Sequence, residues 1–229
     1  MSKPFSLARP SRGRGDILLP IDTDAELRRI FGASLRQHVD LYRRSNAHRE
    51  SHGPDCDVYP SSPSQAALWS FLVAVTRGRR FLEVGCGLGY TAALMAFAGG
   101  PRARVDTIEA SPDHADLAER LLAKKGLANR IRVLRGRAAE VLPALRGPYD
   151  VVFLDGDWWE YPSYVSHLVH LTRPGSIVVT ANLFTLFTEW GQEFGGKDHA
   201  RRYLRAMVRH PRFRTYITRG EWHAYSVRV

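Results

Sequence analysis

The chain is poor in several things, and each shortage excludes something. Cys56 and Cys86 are its only cysteines, so no disulfide framework is available and a reducing, cytoplasmic setting is expected. No Cys/His group has the short spacings of a structural zinc module. No apolar run nears the ~18 residues of a membrane span. The N-terminus lacks the charged-then-apolar pattern of a secretory leader, so no membrane partner is expected. Lysine is confined to Lys3, Lys124, Lys125 and Lys197. The formal charge is still +10, from 33 Lys+Arg against 23 Asp+Glu, and is therefore carried by arginine. Such a balance suits nucleic acid or an acidic substrate, although dispersed arginines read more plainly as a solvated basic surface. The densest stretch, Lys197 to Val229, has nine basic and two acidic residues. A 44% hydrophobic share of 229 residues supports one folded domain.

Composition divides the chain in three. Residues 1–20, rich in Arg, Ser, Gly and Pro, read as a flexible basic tail. Residues 21–60 hold an amphipathic helix from Asp24 to about Arg49, with Leu27, Ile30, Phe31, Leu35 and Val39 at helical spacing, then a loop at 51–62. This segment is expected to act as a lid or an oligomerisation element. Residues 61–229 form the main domain. Ser62-Pro63 reads as an N-cap and first helical position, with Leu68, Phe71, Leu72 and Val75 as the buried stripe. From Arg80 short apolar runs at 81–84, 105–109, 131–134, 151–155 and 176–180 alternate with helical stretches at 90–98, 113–124, 138–145 and 161–172. That alternation predicts an α/β fold with a parallel sheet covered by helices on both faces. A helix bearing Ala200, Tyr203, Leu204, Met207 and Val208 follows, then two strands at 213–218 and 222–229 that read as a hairpin.

The sharpest motif is FLEVGCGLGYTAALMA, residues 81–96. A strand runs into Gly85-Cys86-Gly87-Leu88-Gly89, and a helix starts at once. Glycines permit the tight turn and let a ligand touch the backbone, while the helix start offers unpaired N–H groups. Glu109 closes the next strand, where it can accept two hydrogen bonds from a ribose diol. No GxxxxGK[ST] is present, which removes a phosphate-gripping P-loop. A dinucleotide fingerprint wants Gly or Ala where Tyr90 stands. Glu83 lies two residues before the first glycine, a poor neighbour for a pyrophosphate and a good one for an ammonium or sulfonium charge. S-adenosylmethionine carries both and no phosphate. The plainer alternative is a glycine turn in a generic α/β protein, with Glu83 capping another group.

Together with SSPSQAALWSFLVAVTRGRR (61–80), RAAEVLPAL (137–145) and YDVVFLDGDWWEY (149–161), this motif resembles the class I S-adenosylmethionine-dependent methyltransferases from about Pro60 onward. Within them it is most similar to the small O-methyltransferases related to catechol and caffeoyl-CoA enzymes. The resemblance implies a Rossmann-like, mostly parallel seven-stranded sheet with a C-terminal antiparallel hairpin and N-terminal accessory helices. It implies that Glu83 faces the methionine ammonium, and that Gly85, Cys86, Gly87, Gly89, Tyr90 and Thr91 line the methionyl part. Glu109 would hold the ribose, with Ala110 and Ser111 beside it. Arg137, Ala138 and Ala139 would edge the adenine, and Asp155 and Trp158 would stand near the methyl group. A homodimer is the family habit.

For catalysis, metal-dependent members of that family use oxygen ligands on magnesium or calcium and a nearby lysine base. Asp155 matches the first ligand. Relatives read Asp-Asn after the fifth strand, whereas this chain reads Ala181-Asn182, which leaves Asp155 and Asn182 as the cation's candidates. The usual lysine position is Trp158. Asp157 is a replacement ligand or, with Asp155, a candidate general base. His167 and His170 read as ordinary packing or surface histidines. Trp158, Trp159, Tyr59 and Trp190 are candidate substrate contacts. The leading expectation is O-methylation of a small molecule by in-line displacement. Methylation of tRNA or other RNA is the alternative that the basic charge suggests, and a non-catalytic cofactor-binding protein is a further one.

Overall fold

The structure, a computed structural model, describes residues 33–53, 56–187, 197–218 and 222–229. The expected tail at 1–20, the expected helix positions Leu27, Ile30 and Phe31, and Trp190 lie outside the described residues. The elements are α1 (Ala33–His52), α2 (Pro63–Thr76), β1 (Arg80–Val84), α3 (Tyr90–Ala98), β2 (Arg104–Glu109), α4 (Pro112–Lys124), β3 (Ile131–Arg135), α5 (Ala138–Val141), β4 (Tyr149–Leu154), α6 (Tyr161–Leu171), β5 (Thr172–Thr180), α7 (Phe184–Phe187), α8 (Lys197–Arg209), β6 (Phe213–Thr218) and β7 (His223–Arg228). Seven strands form one sheet in the order β3-β2-β1-β4-β5-β7-β6. Strands β1 to β5 run parallel, and β7 is antiparallel to both β5 and β6. The expected Rossmann-like sheet with its closing hairpin is therefore present.

Strand order reverses between β1 and β4, and such a switch point opens a crevice beyond the carboxyl ends of the strands. All six residues of β4 are buried, as a strand covered on both faces requires. One face packs Phe81, Val105, Val151 and Phe153 against Trp69, Leu94 and Leu122. The other packs Leu82, Ile108, Val152 and Val178 against Tyr161, Leu168, Tyr203 and Met207.

Four expectations need correction. The stripe assigned to α2 is half wrong: Leu68 and Leu72 pack partly buried on the core, but Phe71 and Val75 are exposed, and Ala66, Trp69 and Val73 are the fully buried residues. This helix is apolar nearly all round, so spacing alone could not choose its inner face. The expected helix at 138–145 is one α-turn (α5) followed by a 3-10 turn over Leu142–Ala144, because Pro143 lacks the N–H that would continue it. Strand β5 starts at Thr172 rather than 176. Val208 of α8 is exposed, whereas Ala200, Tyr203, Leu204 and Met207 are buried as expected. The cap of α2 holds: Ser62 accepts from the Gln65 N–H while the Gln65 side chain accepts from the Ser62 N–H at 2.8 Å.

The opposite end of the strands, at their amino termini, is fixed by Asp150. Its carboxylate accepts the Arg79 and Arg80 N–H groups at 2.7 and 3.0 Å and the Arg173 guanidinium at 2.6 Å. Burial works against the ionised form, but these donors outweigh it and hold the carboxyl below its ordinary range.

Candidate functional site

At the switch point the strand ends stay tied past the formal strands. The Gly85 N–H reaches Ile108 O at 3.0 Å, the Asp155 N–H reaches Val84 O at 2.8 Å, and the Ala181 N–H reaches Leu154 O at 2.8 Å. The residues after β1, β4 and β5 are thus laid side by side. A cavity of about 800 Å³ opens above them, within the ~300–1,000 Å³ of clefts that enclose small ligands.

Gly85, Cys86, Gly87 and Leu88 form its floor. Gly85, Gly87 and Gly89 have φ of +94°, +53° and +82°, where a side chain is strained. At Gly85 a Cβ would also lie 2.4 Å from the Asp155 carbonyl oxygen. Gly89 caps the start of α3, and Tyr90 and Thr91 follow on the cavity wall. Gly89 itself is not among the lining residues; its place is to turn the chain into α3. The Cys86 thiol is buried, and burial with Glu83 nearby pushes it well above its usual range, so it stays protonated.

Glu109 is fastened by this loop. One carboxylate oxygen accepts the Gly87 N–H and the other the Ser111 N–H, each at 2.8 Å. Ser111 in turn caps α4 by accepting from the His114 N–H. The acid is held in one position, and each of its oxygens has a second lone pair for a ligand hydroxyl. Ala110 and Ser111 line the cavity beside it.

Glu83 lies deeper, 1% exposed and behind the lining residues. One of its oxygens accepts the Thr107 hydroxyl; the other is buried with no hydrogen-bond partner. Burial raises its carboxyl well above the ordinary value, the Thr107 hydroxyl opposes this, and the nearby Asp155 and Glu109 add to it. An unpartnered buried carboxylate oxygen costs free energy until a donor reaches it.

Beyond β3, Gly136, Arg137 and Ala138 edge the cavity. Ala139 turns its N–H to Glu160 at 3.2 Å instead. Glu160 also takes Arg137 and, at 2.7 Å, the Tyr164 hydroxyl. Arg137 further pairs with Asp157 at 3.3 Å. The other oxygen of Asp157 accepts the Trp159 N–H at 3.0 Å, so the exposed Asp157 carboxylate is engaged on both sides. Sequence reading missed Glu160, which joins the turns after β3 and β4, although it lies in the quoted string 149–161.

Asp155 has a partly exposed edge toward the cavity, yet its surroundings are dense. Burial pushes its carboxyl up to about 7, opposed by the amide of Asn182, which donates to it at 2.9 Å. Asn182 has φ +59°, a conformation asparagine tolerates better than most residues. Ala181 is 4% exposed and brings no oxygen. Trp158 stacks edge-on against Phe184 at 5.4 Å, with its indole N–H buried and unpartnered. Trp159 and Tyr59, both exposed, line the outer rim, and the Arg49 guanidinium lies 4.1 Å over the Tyr59 ring. Trp190 lies outside the described residues.

The profile of a family described as O-methyltransferase matches residues 40–212. A catechol O-methyltransferase of Mycobacterium tuberculosis is 33% identical over 156 residues, which cover 66% of this chain and 69% of that protein. Among solved structures, cofactor-bound Rv0187 from MTB superposes with a TM-score of 0.74 at 28% identity, covering 92% of this chain and 97% of that one. The O-methyltransferase from Bacillus cereus in complex with SAH reaches 0.73 at 22% identity over 90% of this chain and 97% of that one, a likeness of fold. No helix among the described residues is long and apolar enough to cross a membrane. The chain belongs to the O-methyltransferase family, and its activity is S-adenosylmethionine-dependent methyl transfer.

Proposed function

We propose that the cavity places S-adenosylmethionine along the glycine loop and a phenolic acceptor under Trp158, Trp159 and Tyr59, with Asp155 taking the acceptor's proton. The observation that carries this reading is the pair of acids below and beside the loop. Glu109 is immobilised with lone pairs to spare for a ribose, and Glu83 has a buried oxygen with no partner, suited to an ammonium group. Gly85, Cys86, Gly87, Tyr90 and Thr91 then border the methionyl part. Ala110 and Ser111 stand beside the ribose, and the backbone around Gly136, Arg137 and Ala138 borders the base.

When bound, S-adenosylmethionine supplies the methyl group and a good leaving group. The protein's own share is alignment and one proton. Aromatic rings at the rim offer flat faces to a flat acceptor and shed water from it. A carboxyl near 7 suits a general base at neutral pH, and the Asn182 amide fixes its orientation.

The residues present do not fit a hard divalent cation here. Such ions want several oxygen donors. Asn182 presents its N–H end to Asp155, Ala181 has no donor, and Asp157 is taken by Arg137 and the Trp159 N–H. The reading therefore needs no cation at Asp155. The acceptor class follows the rim aromatics and the name of the catechol O-methyltransferase relative. The test is methylation of a panel of phenols and sugars, with and without a chelator. Turnover confined to phenols and unchanged within about twofold by the chelator is expected. Turnover that needs added magnesium would overturn the assignment of Asp155.

A further inference from the structure

A second cluster of chemistry-bearing side chains lies at the edge of the same cavity, outside the residues used above. His48 is on α1, Cys56 in the loop that follows, and His114 in the first turn of α4. One ligand atom from each lies within 4.8 Å of the other two. Among the described residues no other group of three or more His, Cys, Asp or Glu side chains converges this way. Cys56 is buried, and both Cys56 and His114 line the cavity.

We propose that His48, Cys56 and His114 bind a borderline-soft divalent cation, zinc above all, in a His-Cys-His site that clasps α1 and its loop to α4. The donor types select the ion: one thiolate and two imidazoles suit zinc and are poor ligands for magnesium or calcium. The spacing is close to what is needed, since tetrahedral bonds of ~2.0–2.3 Å put ligand atoms about 3.4–3.6 Å apart. Side-chain rotation in a loop and two helix turns can supply the difference.

Two independent observations point to a ligand. First, the Nε2 atom of His48 is buried and has no hydrogen-bond partner. Second, three imidazoles are crowded together. The His48 ring stacks on His52 at 4.0 Å and meets His114 edge-on at 5.2 Å. The ligand atoms of His48 and His114 thereby converge with that of Cys56. A neutral imidazole is the form that ligates a metal. The His114 Nδ1 also lies 4.0 Å from a Glu109 oxygen, the side from which a carboxylate orients a ligating ring.

Binding would exchange the Cys56 S–H for an S–metal bond, with the proton released to solvent. Three protein donors leave a fourth position for water or for a donor atom of the cavity's occupant. The sequence hid the site because its members are far apart: His48 and Cys56 precede the main fold, and His114 comes from the far side of β2. The inference does not rest on the methyl-transfer reading, and it can stand or fall separately.

The test uses the full chain, stripped of metal by a chelator and dialysed. Titration with zinc alone is expected to show one tight site and a rise in Tm that magnesium does not produce. Cobalt as a spectroscopic substitute is expected to give a thiolate-to-metal charge-transfer band. Cys56→Ser, His48→Gln and His114→Gln should each weaken zinc binding at least tenfold, while Cys86→Ser leaves it within about twofold. Circular dichroism and thermal unfolding check that each variant is folded. A wild-type chain with no thiolate band overturns the proposal whatever the variants do. So does zinc affinity unchanged in the His48→Gln/Cys56→Ser/His114→Gln triple variant. Loss of S-adenosylhomocysteine binding in the wild type, with zinc binding kept, would strike the cofactor reading alone.

Discussion

The two halves of the cavity are built differently. The half beyond β1, β2 and β3 is made of backbone: three left-handed glycines, a helix start, and Glu109 bound to two main-chain N–H groups. The half beyond β4 and β5 is made of side chains: Asp155 on Asn182, Trp158 on Phe184, and Asp157 and Glu160 reaching across to Arg137 of the other half. Main-chain geometry dictates residue type at a few positions and resists change. Side-chain geometry can be rewritten residue by residue, and Ala181 and Trp158 stand where the family resemblance implies an acid and a lysine. A family that keeps one cofactor and varies its acceptor would divide a site in this way.

The largest break should come from Gly85→Ala. The new Cβ would stand 2.4 Å from a carbonyl oxygen that cannot move without pulling β4, and φ of +94° adds strain. We expect a loss of roughly 1–3 kcal/mol of stability from the backbone conformation alone. Binding of S-adenosylhomocysteine should fall more than a hundredfold, by calorimetry on whatever fraction stays folded. Near-normal binding would mean the floor of the cavity is not where the cofactor lies.

Asp155→Asn should separate the halves. The asparagine can still accept from Asn182, so cofactor binding should stay within about threefold while kcat falls ~10²–10⁴-fold. In the parent chain kcat/KM should rise with pH through about 7 as the carboxylate forms, and the variant's residual rate should be flat there. The stability effect has the opposite sense. A carboxyl raised in the folded state favours folding when protonated, so its contribution is complete below pH ~4 and is lost as pH rises through about 7. Asp155→Asn should therefore have a higher Tm than the parent at pH 8 and no advantage at pH 4.

This division also explains what could be read beforehand. The strand-and-helix alternation, the glycine loop and Glu109 were legible because each is a local pattern with a backbone cause. The inner face of α2 was not, since an apolar helix gives no preferred side until its partners α3 and β4 are known. Glu160 was invisible as a junction: its partners Arg137 and Ala139 come from the start of α5 and Tyr164 from α6, and only the sheet order brings β3 and β4 ends to the same crevice. The departures at Ala181 and Trp158 could be seen, but their consequence could not. That needed the Asn182 amide turned toward Asp155.

Glu83→Gln tests the buried acid more gently. Gln keeps the shape and the acceptor for Thr107 but loses the charge, so S-adenosylmethionine should bind about tenfold more weakly while the fold holds. Burial raises the Glu83 carboxyl well above its ordinary range, and pairing with an ammonium, which favours the carboxylate, would shift it toward losing its proton. Calorimetry in two buffers of different ionisation enthalpy should then show proton release on binding in the parent and less in the variant. Equal proton release in both would assign it elsewhere.

Arg137→Ala should do least, although its side chain makes the most conspicuous ion pairs in the site. Its side chain is 56% exposed, so solvent screens its pairs with Asp157 and Glu160. Glu160 keeps the Ala139 N–H and the Tyr164 hydroxyl after the change, and Asp157 keeps the Trp159 N–H. The turns on either side thus retain their main-chain ties, and what borders the base at this edge is the backbone from Gly136 to Ala138. Cofactor affinity should change less than about threefold and Tm hardly at all. A tenfold loss would show that the guanidinium itself touches the ligand, and that the backbone-built half of the cavity includes one side chain after all.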